Sequence, residues 1–258
     1  MKVFGTIAEM KAWRKSLPQN QSVGFVPTMG ALHAGHQSLL ERARKENEML
    51  VLSIFVNPTQ FNQASDFANY PKTWDADLEI AKSARVDAIF APKDPRSMYP
   101  DDYRYHVSEI KLSKELDGEF RPGHFQGMLT VVLKLFQITL PTRVYFGEKD
   151  HQQLTLVRGM IDAFFLDTEL VPCPTIREPS GLALSSRNTR LSPAEKELAP
   201  RLYETLMEVK DPAQAKYELS EYGFKVEYLD DRPDSSGKTR RYAAAWLGDV
   251  RLIDNVSL

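Results

Sequence analysis

The stretch "SVGFVPTMGALHAGHQSLLERARKENEMLVLSIFVN", residues 22–57, places a polar turn and a helical period between two apolar runs. The runs "SVGFVP" (22–27) and "MLVLSIFVN" (49–57) are nearly continuous in apolar character, which predicts strands buried on both faces. Between them "HQSLLERARKENE" predicts a helix. Strand, helix, strand is the unit from which parallel sheets are built. His33 and His36 follow none of the apolar positions that the helix would bury, so core packing alone does not account for them.

The alternation continues along the chain. Strands are expected at "VDAIFAP" (86–92) and "TRVYFG" (142–147), and helices at "TWDADLEIAKSAR" (73–85), "GMLTVVLKLFQIT" (127–139) and "HQQLTLVRGMIDAFF" (151–165). The pattern is that of a doubly wound α/β sheet, which binds ligands beyond the carboxyl ends of its strands. The connection from Asn57 to Thr73 is long for a structureless loop, and such loops are usually functional. From Pro172 to Pro193 the pattern lapses into polar sequence. One helix is expected over "SPAEKELAPRLYETLMEVK", with Ser192 as cap, Pro193 in the first turn and Glu195 closing a capping box. A short helix around "AQAKYELSEYG" and strands "FKVEYLDD", "RRYAAAWLG" and "VRLIDNV" follow. They predict a smaller α+β C-terminal domain, dividing the chain into residues 1–178 and 179–258.

Composition narrows the classes of function. With 258 residues, 42% of them hydrophobic and 26% charged, the chain is long enough for a substantial core. Its 33 basic and 35 acidic residues leave a net charge of −2, so no global field recruits nucleic acid or a membrane surface. The single Cys173 excludes an internal disulfide framework and a clustered-thiolate zinc site. The N-terminal segment breaks its apolar run with Glu9, Lys11, Arg14 and Lys15, unlike a signal peptide, and no run reaches the ~18 apolar residues of a membrane span. These features predict a cytoplasmic protein. Neither a GxGxxG turn, a GxxxxGK[ST] loop nor a GxSxG elbow is present, so those chemistries lose support.

Four constellations could carry chemistry. In HAGH, residues 33–36, two imidazoles three positions apart open a helix whose free amides and dipole favour an anion, and Gly35 lets a ligand approach the backbone. Local hydrogen bonding by the rings is the alternative. "FGEKDHQQ" (146–153) follows a strand directly, so Lys149 could meet phosphates and Asp150 a Mg²⁺ ion or a ribose hydroxyl; a charged pair capping the next helix is the alternative. In "LALSSRN" (182–188) two hydroxyls and a guanidinium could wrap a triphosphate, or form a plain turn. "NPTQF" offers the amides of Asn57 and Gln60 to a small polar substrate, or is a Pro-directed turn. Nearby, Arg121 and His124 of "FRPGHFQG" precede an apolar helix, where a second anionic group or an ordinary cap would fit.

Read together, "PTMGALHAGH", "FVNPTQF", "YPKT", "RPGHFQGMLTVVLKLF", "FGEKDHQQ" and "REPSGLALSSRN", with the terminal "RRYAAAWLGDVRLIDNVSL", resemble the pantothenate synthetases, or pantoate–β-alanine ligases, in order and over nearly the whole chain. Ala34 stands where that family usually has an acidic residue, Ser180 where it has Asp, and the region from about Lys210 to Gly237 is shorter than usual. The resemblance implies a Rossmann-like domain of the HxGH nucleotidyltransferase type, a smaller C-terminal lid and a homodimer. It implies ATP and Mg²⁺ and two half-reactions: pantoate and ATP give pantoyl adenylate and pyrophosphate, then β-alanine displaces AMP to form pantothenate.

Carried over by position, the resemblance implies catalytic roles for His36 as proton donor, His33 as its partner on the phosphates and Lys149 at the α-phosphate. It implies an ATP site from Met29 and Gly30 through the histidines, with Gly147, Glu148, Lys149 and Asp150, the last also the expected metal ligand. Ile176 would contact adenine through its backbone, and Leu184, Ser185, Ser186 and Arg187 would form a mobile phosphate loop. Gln60 and Gln153 would hold pantoate, with Gln60 also close to β-alanine; Asn57, Arg121 and His124, read from their own chemistry above, are the further expected substrate contacts. Two rival readings stay open. One is another HxGH nucleotidyltransferase that leaves the nucleotide on its product; the other is a nucleotide-binding module without turnover.

Overall fold

A computed structural model describes residues 1–234 and 237–258; Ser235 and Ser236, inside the Lys210–Gly237 stretch, lie outside the described residues. The chain divides into two units, Met1–Gly147 with Gln152–Cys173, and Glu148–His151 with Pro174–Leu258.

In chain order the first unit holds β1 (Lys2–Phe4), α1 (Ile7–Ser16), β2 (Val23–Thr28), α2 (Ala34–Glu46) and β3 (Met49–Ile54). Then come α3 (Ala64–Ala68), α4 (Trp74–Ser83), β4 (Ala88–Phe90), α5 (Asp117–Phe120), α6 (His124–Thr139), β5 (Arg143–Gly147), α7 (His151–Ala163) and β6 (Glu169–Cys173), α7 starting from the last residue of the segment grouped with the second unit. The strands form one six-stranded sheet in the order β1-β4-β3-β2-β5-β6, every pair parallel. This is the expected Rossmann-like α/β sheet. Alternation along the strands covers both faces: Val23, Phe25 and Val51 enter one core with α6, whereas Val26, Leu50 and Leu52 enter another with Leu40 of α2 and Ala81 of α4.

The strand order reverses between β2 and β5, and that switch point is where open α/β sheets bind ligands. Pairing of β2 with β5 is confined to Gly24 and Phe25. The two strands have therefore parted before Pro27, which has no N–H to donate, and so a proline is tolerated in a central strand.

The structure corrects several boundaries. The second expected strand ends at Ile54, because Asn57 is drawn into a 3-10 turn at Pro58–Gln60. The long connection that follows contains α3. Pro172 and Cys173 finish β6, an edge strand where the missing N–H of a proline costs little. β1, α1 and β6 escape the sequence reading, since two of them are short and α1 has a mixed polar surface.

The second unit holds α8 (Pro193–Leu198), α9 (Arg201–Glu208) and α10 (Pro212–Glu221), followed by the antiparallel strands β7 (Lys225–Pro233), β8 (Thr239–Leu247) and β9 (Val250–Ser257). The helix expected across residues 192–210 is in fact two, because Pro200 has no N–H with which to continue the ladder. Leu202, Leu206, Leu219, Phe224, Leu229, Leu247 and Leu252 share its core. The side chain of Arg241, 1% exposed, donates to both carboxylate oxygens of Asp231 at 2.6 and 2.8 Å, and to Lys210 O at 2.5 Å beyond the end of α9.

The capping box is formed as read: Glu195 N donates to Ser192 Oγ at 3.3 Å and Ser192 N to Glu195 Oε2 at 2.7 Å. Ser192→Ala lowers the stability of the second unit by about 1 kcal/mol. Faster amide exchange across α8 reads this out; unchanged exchange would show that the cap is dispensable.

Candidate active site

In the first unit the residues of interest gather at the carboxyl edge of the sheet. The turn after β2 is bound to α4 by Asp77, which is 2% exposed. Its Oδ2 accepts from Ala31 N at 3.0 Å, its Oδ1 from Leu32 N at 2.8 Å and from Thr73 Oγ1 at 2.9 Å. The turn needs this support because Ala31 takes the left-handed conformation at φ 51°, after Gly30 at φ 82°. A Cβ on Gly30 would stand 3.0 Å from Asp77 Oδ2 and 3.1 Å from Ile54 Cγ2.

That turn delivers the two imidazoles to the start of α2. His33 is the cap and His36 the third helical residue: Gly35 N donates to His33 Nδ1 at 3.1 Å, and His33 N to His36 Nδ1 at 3.3 Å. The rings lie 4.2 Å apart between centroids. A backbone N–H can only donate, so each Nδ1 is the acceptor and in the neutral ring the proton sits on Nε2. The local hydrogen bonding weighed as an alternative is therefore present, and it sets the tautomer in which both Nε2 atoms are donors. Ala34, between the histidines, takes no part in these bonds.

A second cluster forms around the turn at Pro58–Gln60. Asn57 is 1% exposed and its amide is fully engaged: Nδ2 donates to Gln60 Oε1 at 3.0 Å and to Gly127 O at 3.2 Å, and Oδ1 accepts from Tyr99 OH at 2.5 Å and Thr59 Oγ1 at 3.1 Å. Burial pushes the Tyr99 hydroxyl up to about 12, so it remains a donor at all ordinary pH. Gln60 Nε2 donates to Met29 Sδ at 3.5 Å, which joins this cluster to the histidine turn. His124, at the start of α6, meets Gln60 O through Nδ1 at 2.8 Å; the carbonyl must accept, so here Nδ1 carries the proton. Met29, Asn57, Gln60 and His124 are thus brought together. Arg121 lies between α5 and α6, and Gln153 is partly exposed near the start of α7. Its neighbour Gln152 is buried and donates to Leu112 O and Glu115 O at 2.8 and 2.7 Å.

In the second unit β9 organises the remaining residues. Asn255 Nδ2 donates to Glu148 O and Lys149 O, both at 2.9 Å, and Tyr242 OH meets His151 Nδ1 at 2.8 Å. Burial raises the Tyr242 hydroxyl above its ordinary range. The Lys149 side chain, 19% exposed, lies 3.9 Å from Asp150 Oδ2, a loose pair that leaves the ammonium charge available to an anion. Next to Asn255, Asp254 receives both ends of the Arg177 guanidinium at 2.5 and 2.8 Å, and that guanidinium stacks 3.7 Å over Tyr203. Leu184 N donates to Ile176 O at 3.0 Å, so the expected adenine contact and the SSRN segment share one hairpin-like frame. Ser185 Oγ caps the 3-10 turn at Ser186–Arg190 by accepting from Arg187 N at 3.3 Å, and Ser180 is exposed in the turn that closes this frame between Arg177 and Ala183.

Asp77, Tyr99, Tyr242 and Asn255 were not singled out from the sequence. Signals existed for two of them. Asp77 falls four residues before the buried Ala81, on the covered stripe of α4, and Asn255 interrupts the apolar run "VRLIDNV" beside Asp254. Tyr99 and Tyr242 look like ordinary core aromatics.

The parallel sheet with its imidazole-bearing turn, together with a separate α+β unit, defines a Rossmann-like α/β enzyme. The chain matches the family Pantoate-beta-alanine ligase over residues 2–257, and it belongs to that family and is a ligase. It is 54% identical over 256 residues to a pantothenate synthetase of Bdellovibrio bacteriovorus, covering 99% of each chain, and 47% identical over 258 residues to that of Legionella pneumophila (strain Corby), covering 100% of each. The fold is similar to a crystal structure of the Francisella tularensis pantoate-beta-alanine ligase complexed with beta-gamma ATP and beta-alanine, at TM-score 0.93 and 42% identity, covering 100% of this chain and 97% of that one. Against the pantothenate synthetase from Thermus thermophilus the TM-score is 0.89 at 41% identity, with 99% of each chain covered.

Proposed function

We propose that the chain joins pantoate to β-alanine through a pantoyl-adenylate intermediate. A pantoate carboxylate oxygen attacks the α-phosphorus of ATP and the bond to pyrophosphate breaks. The amine of β-alanine then attacks the acyl carbon, AMP leaves with the bonding pair, and the amine proton passes to solvent. Neither step needs a protein nucleophile. What the protein supplies is alignment and fixed charge where negative charge builds on the leaving group.

The observation that carries this reading is the imidazole pair, whose Nδ1 atoms are occupied by backbone N–H groups so that both Nε2–H groups donate from the start of α2. A helix N-terminus with two added donors suits a polyphosphate. We assign His33, His36 and Lys149 to the phosphates, Ile176 and Leu184–Arg187 to the nucleotide, and Gln60 and Gln153 to pantoate. The relative from Francisella tularensis is complexed with beta-gamma ATP and beta-alanine, which supports the two co-substrates.

Mg²⁺ is proposed with them. Among the described residues no group of three or more His, Cys, Asp or Glu could hold a metal ion by itself. Mg²⁺ typically uses one or two carboxylates together with substrate phosphates, and the half-exposed carboxylate of Asp150 fits that role. The ion would offset phosphate charge. We also propose that residues 1–178 bind ATP and pantoate, that residues 179–258 act as a lid, and that the protein is a cytoplasmic homodimer. Among the described residues no helix is long and apolar enough to cross a membrane.

Supplied with pantoate, β-alanine, ATP and Mg²⁺, the protein should release AMP and pyrophosphate in equal amounts with pantothenate. Omitting β-alanine should leave pantoate-dependent exchange of pyrophosphate into ATP. Release of ADP would replace the adenylate with an acyl phosphate, and AMP retained on the product would indicate simple nucleotidyl transfer.

A further inference from the structure

Asn57 is buried with all four hydrogen-bonding positions of its amide used inside the protein, which leaves none to meet a substrate directly. The orientation of that amide is not arbitrary. Gly127 O is a backbone carbonyl and can only accept, so the atom 3.2 Å from it must be Nδ2; on the opposite side the Tyr99 hydroxyl donates to Oδ1. It follows that Nδ2 faces Gln60, that the Gln60 atom facing Asn57 is Oε1, and that Gln60 Nε2 is turned the other way. There it lies 3.5 Å from Met29 Sδ, on the side of the histidine turn.

Packing holds the relay in place. A Cβ on Gly127 would come within 2.3 Å of Thr59 O, so only glycine lets α6 bring its carbonyl this close to the Pro58–Gln60 turn. His124 bonds to Gln60 O and ties down the backbone of the same residue. Flipping the Gln60 amide would set its NH₂ against the NH₂ of Asn57, with no acceptor between them. The inner end of the chain is thus anchored on a peptide carbonyl that cannot reverse.

We propose that Asn57, backed by Tyr99 and Gly127 O, is a positioning residue that locks Gln60 with its N–H donor presented to pantoate, making this subsite selective for an acceptor oxygen. The partner is a carboxylate or hydroxyl oxygen of the acid; a donor such as an ammonium at the same place would be refused. The inference rests on the assignment of Gln60 to pantoate.

A double-mutant cycle tests it. Gln60→Ala should raise KM for pantoate about 30-fold and Asn57→Asp about 10-fold, in keeping with loss of one directed hydrogen bond. Because Asn57 acts through Gln60, the double variant should be no worse than Gln60→Ala within about twofold, and KM for ATP should stay within about twofold throughout. Multiplying effects would overturn the relay, as would an unchanged pantoate KM in Asn57→Asp. If Gln60→Ala itself leaves that KM unchanged, the pantoate assignment falls and the relay with it, which distinguishes the two failures. Should Asn57→Asp not fold, Tyr99→Phe runs the same cycle: about a threefold rise alone and none beside Gln60→Ala supports the relay, and any other pair of results overturns it.

Discussion

Replacing Lys149 with alanine should slow pyrophosphate release in a single turnover of pantoate and ATP by about 10²- to 10³-fold, the loss expected when one fixed charge is removed from a developing anion. The lysine follows β5 by two residues, and its carbonyl and that of Glu148 are both held by Asn255, so the start of the side chain is well placed before any ligand arrives. In the proposed role its ammonium would give up only a loose 3.9 Å contact to Asp150. Removing it costs the folded protein little, within about 0.5 kcal/mol, because a partly exposed loose pair contributes almost nothing. The expected signature is therefore a large fall in rate with an unchanged unfolding midpoint. Near-normal turnover would remove Lys149 from the phosphate machinery.

Asp77→Ala should lower stability by about 3 kcal/mol, since it strands the N–H groups of Ala31 and Leu32 in a covered turn, each costing about 1–3 kcal/mol when left without an acceptor. The consequence reaches the chemistry through the turn. Without the carboxylate nothing compensates the left-handed backbone at Ala31, and the imidazoles that follow lose their aim, so the adenylation rate should drop by about tenfold or more for a displacement near 1 Å. Asp77→Asn sharpens the test. Two separate N–H groups address two separate oxygens, and an amide replaces one of those oxygens with another donor. The asparagine variant should therefore behave nearly as badly as alanine in urea unfolding and in rate. A fully active, stable Asp77→Asn protein would show that one acceptor suffices.

Much of the fold is legible in residues 22–57, because burial on both faces forces strands of a parallel sheet into continuous apolar runs, and helices between them keep their own period. The capping box at Ser192 is equally legible, being a local agreement of residues three apart. Elements that owe little to local pattern escape. β1 has three residues and stands at the sheet edge, where pairing with β4 rather than its own composition makes it a strand. The break at Pro200 is visible in the sequence but is overridden by the strong cap and apolar spacing around it, which read as one helix.

The site divides in the same way. Residue type and spacing by themselves determined that two imidazoles open a helix, that a lysine and an aspartate follow a strand, and that amides cluster at NPTQF, because each of these depends on neighbours within a few positions. Only tertiary structure decided which nitrogen of His124 donates, which way the Gln60 amide faces, and that Asp77, Tyr99 and Asn255 hold the pieces. A hydrogen bond to a group far along the chain selects one tautomer or one rotamer from several of nearly equal intrinsic energy. No pattern in the sequence carries that choice; it arises where distant peptide groups meet.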